Sequence, residues 1–176
     1  MHGWPSSYLE YLDVAEALAK GRDVVVVSLP NTGFSDQSPQ LMGPRAMAHA
    51  VHALMTEVLG YSRYVAHGSD WGSILASWLG NDFPEHVAGI HMSMISPRFV
   101  AAPVQGEEEQ KWLAGFRERF EDDGAYFRLQ TSRPHTLAFL LGDSPVGLLS
   151  WQAEKFMAWS DPGMGSPSEK MASPEW

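Results

Sequence analysis

Asp70 stands at the centre of the stretch His67-Gly68-Ser69-Asp70-Trp71-Gly72-Ser73. A carboxylate can attack an electrophilic carbon and become an ester. Glycines lie two places to either side, at Gly68 and Gly72. The run ahead, Tyr64-Val65-Ala66, is apolar and β-prone, and the run behind, Ile74-Leu75-Ala76-Ser77-Trp78-Leu79, suits a helix. Small-x-Asp-x-small between a strand and a helix is the pattern of a nucleophile elbow. The central residue of such a turn has a strained backbone, and its neighbours are small because strand and helix approach closely. The turn pushes the side chain out at the carboxyl end of the strand, and the helix amino terminus behind it favours an anion. The same residues would also serve as a plain strand-to-helix turn with Asp70 as N-cap. Context has to decide between the two.

The elements that would position Asp70 follow from periodicity. Leu9, Leu12, Ala15, Leu18 and Ala19 make an apolar stripe over 7–20, and Gly21 is a stop. Asp23-Val24-Val25-Val26-Val27-Ser28-Leu29 is a continuous β-branched run, which predicts a buried parallel strand. Residues 43–60 form a second helix, with Pro44 in its first turn and Met47, Val51, Leu54, Met55 and Val58 as its stripe. The elbow strand comes next, then a helix over 71–83 and a third strand over 87–94. Strands alternating with helices at this spacing predict an α/β fold, with a parallel sheet covered on both faces. After Pro97 the character changes. Trp112, Leu113, Phe116 and Phe120 recur at helical spacing among charges over 106–121, and two further helices are expected over 133–141 and 144–159. The expected division is a core over 1–97, a helical layer over 98–161 and a disordered Gly/Ser/Pro-rich tail over 162–176.

Composition narrows the function classes. The chain has 176 residues, 44% of them hydrophobic, enough for a real core. It has no cysteine, which excludes thiolate nucleophiles and Cys-based metal sites. The net charge is −9 with no clustered basic face, so no nucleic-acid partner is expected. No apolar run reaches the roughly 20 residues that cross a bilayer, and Met1-His2-Gly3-Trp4-Pro5 does not read as a signal peptide. A cytoplasmic protein with no membrane segment is the expectation.

Four groups of residues carry a family resemblance. They are His2-Gly3-Trp4-Pro5; Ser28-Leu29-Pro30 with Gly33-Phe34-Ser35; Gly68-Ser69-Asp70-Trp71-Gly72; and Thr131-Ser132-Arg133-Pro134 through Asp143-Ser144-Pro145-Val146-Gly147-Leu148 to Glu154-Lys155-Phe156. With these the chain resembles epoxide hydrolases of the α/β-hydrolase fold, in the microsomal and juvenile-hormone branch. The last group is the most specific, because in that branch it lies in the helical cap over the active site. The resemblance implies a partial α/β-hydrolase core followed by the beginning of the cap.

It also implies roles. Asp70 would open the epoxide ring to give a covalent hydroxyalkyl ester. Tyr126 falls at the position of a cap tyrosine that gives a proton to the epoxide oxygen. Water would then attack the ester carbonyl, and the backbone N–H groups of Trp4 and Trp71 would form the oxyanion hole. The substrate would be a small apolar epoxide, given the aromatic-rich cap, and the chemistry uses no cofactor and no metal. His2 reads as a structural hydrogen-bonding residue rather than a base. His49, His52, His67, His86, His91 and His135 do not stand where the family keeps its base, and their spacing offers no metal motif.

The general-base histidine and its acid partner have no counterpart in this chain. The family also runs a strand between those of Val24–Val27 and Tyr64–Ala66, and the stretch after Asp161 departs from the pattern. The expectation is an internal fragment of a larger hydrolase, marginally stable and prone to aggregate, capable at most of the alkylation half-reaction. Two other readings stay open. A haloalkane dehalogenase also places Trp after its nucleophilic Asp, and a non-catalytic remnant would keep only apolar-ligand binding. A serine esterase fits poorly, because Ser69 is displaced by one from the elbow's centre.

Overall fold

The computed structural model describes residues 1–96 and 103–160. The chain divides into two compact units, Met1–Ala102 and Pro103–Trp176.

The first unit opens with a 3-10 turn, Tyr8–Tyr11, that runs into α1 (Leu12–Leu18). Gly21 ends this region at φ 77°, a left-handed conformation that costs glycine little. α2 (Pro44–Ala53) begins with proline at its first position and finishes in a wider π-type turn, Leu54–Val58, before Gly60 at φ 76°. β1 (Tyr64–Gly68), α3 (Trp71–Asp82) and β2 (Val87–Met92) then form a right-sized crossover, with β1 and β2 paired in parallel. α3 is the centre of the core. Leu75, Ala76 and Leu79 are fully buried there, packed with Leu29, Ala48, Val51, Ala66 and Val87. α2 is tied to α3 by Arg45, whose Nε and Nη2 donate to the two Asp82 carboxylate oxygens at 2.7 and 2.9 Å. His49 adds a third contact to Asp82 at 2.8 Å.

Two expectations change here. The 23–29 run forms no strand among the described residues although Leu29 is buried, and the sheet there is the β1–β2 pair. A cavity of about 800 Å³ lies between Val24–Val27 and Tyr64–His67. That is where the resemblance implies another strand. β propensity alone does not make a strand, because a ladder needs a neighbour at hydrogen-bonding distance. The sheet is also covered by α3 on one face only. Val65 is 67% exposed on the other, next to the exposed His67 and His91.

The second unit is helical: α4 (Glu107–Asp123), α5 (Ala125–Ser132), α6 (Pro134–Asp143) and α7 (Pro145–Trp159). Trp112, Phe116 and Phe120 stack in succession along α4, as their spacing requires, and Phe127 meets Phe120 edge-on. Ser144 caps α7 through its side chain, accepting from the Gly147 N–H at 3.0 Å. No helix of the described residues is long and apolar enough to cross a membrane. The expected tail over 162–176 lies outside the described residues.

Candidate active site

Asp70 connects β1 to α3 at φ 46° and ψ −117°, a conformation that non-glycine residues rarely adopt. It occupies the N-cap position of α3, yet its carboxylate makes no capping bond to that helix. Instead Asp70 Oδ1 accepts the Trp4 N–H at 2.9 Å. The plain N-cap reading therefore fails on geometry. The side chain is turned away from its own helix and toward the loop at 2–5, whose Trp4–Pro5 peptide is cis.

The small residues are required by contact. A Cβ on Gly68 would stand 2.0 Å from the Gly72 carbonyl, and one on Gly72 would stand 2.2 Å from the Met1 oxygen. A Cβ on Gly3 would stand 2.2 Å from Asp70 Cβ. Each is far inside van der Waals distance, so strand, helix and loop can converge only without side chains. Backbone bonds then lock the three together. The Ser69 N–H donates to Met1 O at 3.1 Å, and the Gly72 N–H to His2 O at 3.0 Å. Ser73 is buried and clasps the far side: its hydroxyl donates to Gly68 O at 2.7 Å and accepts from the Met94 N–H at 3.3 Å.

His2 is fully buried, and its two ring nitrogens have fixed duties. A carbonyl can only accept, so Nδ1 donates to Gly3 O at 2.8 Å. An amide can only donate, so Nε2 accepts from the Leu29 N–H at 2.9 Å. The neutral Nδ1–H tautomer satisfies both. Thr32 completes the arrangement, its hydroxyl 3.2 Å from Nε2 and donating to Leu29 O at 2.6 Å. His2 is thus a structural bolt between the Trp4 loop and the end of the 24–29 run. Thr32 and Ser73 were not visible as site residues in the sequence, because a lone hydroxyl carries no pattern that separates a clasp from a surface group.

Trp71 opens α3 directly after Asp70. Its half-buried ring packs against the core. Tyr126 belongs to the other unit. It sits half-buried on α5, with Trp159 and Phe127 edge-on to its ring at centroid distances of 5.3 and 6.4 Å. The structure therefore brings Asp70, Trp4 and Trp71 together within one unit and seats Tyr126 in its own helical cluster. None of the seven histidines hydrogen-bonds Asp70. Apart from His2, they partner Asp82 (His49), Tyr64 (His52), the Ser62 carbonyl (His86) or one another (His67 with His91), and His135 lies exposed at the start of α6.

The chain is similar to known proteins. The α/β hydrolase fold family matches the chain over residues 1–169. A Stigmatella aurantiaca protein that carries an epoxide hydrolase name is 34% identical over 99% of this chain and 42% of its own length. The juvenile hormone epoxide hydrolase of the silkworm Bombyx mori is 30% identical over the whole of this chain and 43% of its own. Its crystal structure superposes with a TM-score of 0.65 at 26% identity, covering 97% of this chain and 48% of that one. The epoxide hydrolase of Aspergillus niger superposes with a TM-score of 0.63 at 28% identity, covering 88% and 43%. The chain thus spans less than half the length of these relatives.

Proposed function

We propose that this chain, which belongs to the α/β-hydrolase fold family, carries the alkylating machinery of an epoxide hydrolase, with Asp70 as the nucleophile. The observation that supports this most is the Trp4 N–H on Asp70 Oδ1 at 2.9 Å, with the side chain turned off its helix.

The geometry divides the labour between the carboxylate oxygens. Oδ1 is held by a backbone donor, so Oδ2 is the oxygen that attacks an epoxide carbon. The C–O bond of the ring breaks, and its electron pair stays on the epoxide oxygen. That oxygen takes the Tyr126 hydroxyl proton, a role assigned by the place of Tyr126 in the cap motif. The product is a hydroxyalkyl ester whose carbonyl oxygen is the former Oδ1. Attack by water on the ester carbon places negative charge on that same oxygen, which the Trp4 N–H holds, with the Trp71 N–H as the second donor by the family resemblance. One such donor is worth about 3 kcal/mol in a preorganised site. The α3 amino terminus supports both the starting carboxylate and the later oxyanion. Release of the diol restores Asp70. Water activation in the whole reaction needs a base that this site does not present to Asp70, so a lone chain would stop at the ester. A small apolar epoxide fits the aromatic surroundings of Tyr126.

Incubation of the 176-residue chain with styrene oxide, followed by intact-mass measurement, tests this reading. The expected result is a stable adduct of one epoxide, absent from Asp70→Asn and slower to form in Tyr126→Phe. An adduct that survives Asp70→Asn would overturn it.

A further inference from the structure

Lys155 reaches over the ring of Tyr126. Its Nζ lies 5.3 Å from the Tyr126 centroid and 5.8 Å from that of Trp159. The two rings meet at 65°, so the ammonium sits in an aromatic corner. Lys155 and Trp159 are four residues apart on α7 and share a face, while Tyr126 comes from α5. The Lys155 side chain is only 15% exposed. A lysine on a short helix normally extends its head into water. It gives up that hydration where other groups replace it, and here two ring faces and Glu154 Oε1 at 2.7 Å do so. The Glu154 side chain is 66% exposed, so solvent screens much of its charge, and the ammonium is the less screened partner.

We propose that Lys155 is a positioning residue for Tyr126, holding the phenol by its face and stabilising the negative charge that the ring acquires as its hydroxyl gives up a proton. The inference rests on the reading of Tyr126 as proton donor to the epoxide oxygen. The donated proton leaves as the O–H bond breaks, and its electron pair spreads from the phenolate oxygen into the ring that the ammonium covers. An ordinary phenol ionises near pH 10 and is a weak donor at neutral pH. A positive charge over the ring favours the phenolate and so lowers that value. Among the described residues of α7, Lys155 is the charged group over this ring, and Glu154 pairs with its ammonium. Nothing in the sequence separates this lysine from a surface charge, because the cage exists only once α5 and α7 pack.

The test is carried out on the full chain with ring-labelled tyrosine, following each phenol by carbon NMR through alkaline pH. The chain has five tyrosines, so the Tyr126 signal is the one missing from Tyr126→Phe. The expected result is that its midpoint rises in Lys155→Met, which keeps the length of the stem, and returns in Lys155→Arg, which keeps the charge. An unchanged midpoint in Lys155→Met overturns the inference, and so does a Lys155→Arg midpoint displaced as far as that of Lys155→Met. The styrene oxide adduct gives the second readout. If the midpoint does not move but Tyr126→Phe still slows adduct formation, this inference fails alone. If the midpoint moves but Tyr126→Phe forms adduct at the parent rate, the donor reading fails and takes the inference with it.

Discussion

The elbow and the 24–29 run belong to the same unit and meet at one residue, His2, which accepts from Gly72 through its carbonyl and from Leu29 through its ring. Their construction differs. At the elbow, three short segments approach so closely that a single added methyl would overlap backbone atoms. The closest approaches there are set by glycines and held by backbone bonds. Along 24–29, four consecutive valines line a cavity, with no ladder to β1. Geometry for chemistry can therefore be assembled from a few residues at a strand end, while a sheet needs whole neighbours. The first is tightly packed and leaves no room for a side chain at Gly3, Gly68 or Gly72. The second is loosely held and should tolerate many substitutions.

Glycine substitutions give the sharpest test of that difference. Gly68→Ala is expected to cost about 3 kcal/mol or to prevent folding, because overpacked backbone cannot step aside. Gly89→Ala in β2 meets nothing within 4 Å and should change stability by less than about 0.5 kcal/mol. Urea unfolding of both compares them, and equal losses would show that the close approach at the elbow is not limiting.

His2→Phe comes next. It fills the same space but leaves the buried Leu29 N–H without its acceptor, an expected loss of about 2 kcal/mol. Because the Gly3 carbonyl is also released, the Trp4 N–H should drift from Asp70, and adduct formation with styrene oxide should slow. A variant that loses stability but forms adduct at the parent rate would separate the bolt from the site.

A smaller effect is expected with pH. Burial, then the Met1 ammonium and His91, hold the His67 imidazole below its ordinary value. The unfolded chain then binds the proton more readily than the folded one. The contribution to stability is complete above about pH 6.5 and falls as pH drops through the window below it. His67→Gln should flatten that slope in unfolding measured from pH 7.5 to 5. A slope that persists would place the titration elsewhere.

The smallest effect belongs to the run itself. Val26→Lys should change stability by no more than about 0.5 kcal/mol while reducing aggregation, since a charge blunts an unpaired edge. Light scattering and urea unfolding read the two together. A loss comparable to that of Gly68→Ala would mean that the 24–29 run is held as tightly as the elbow.

Much of this was legible in the residues. Small-x-Asp-x-small placed Asp70 at a strand-to-helix turn, Pro44, Pro134 and Pro145 marked helix starts, and Gly21 and Gly60 marked stops, because these depend on backbone sterics within a few residues. The parallel pairing of β1 and β2 followed from the length of the helix between them. The chemistry of a carboxylate at an elbow was likewise a property of residue type and spacing.

Tertiary structure decided the rest. Only packing shows that the Asp70 carboxylate leaves its own helix for the Trp4 N–H, a bond across 66 positions of chain. Only packing fixes the tautomer of His2, since its two partners come from different segments. The valines of 24–27 have the composition of a buried strand but not its bonds, because propensity sets a residue's own dihedrals while pairing requires a second chain segment at the right distance. The sequence settled what each short stretch can do alone. Which stretches meet, and so which groups face one another, was settled by contacts between residues far apart in the chain.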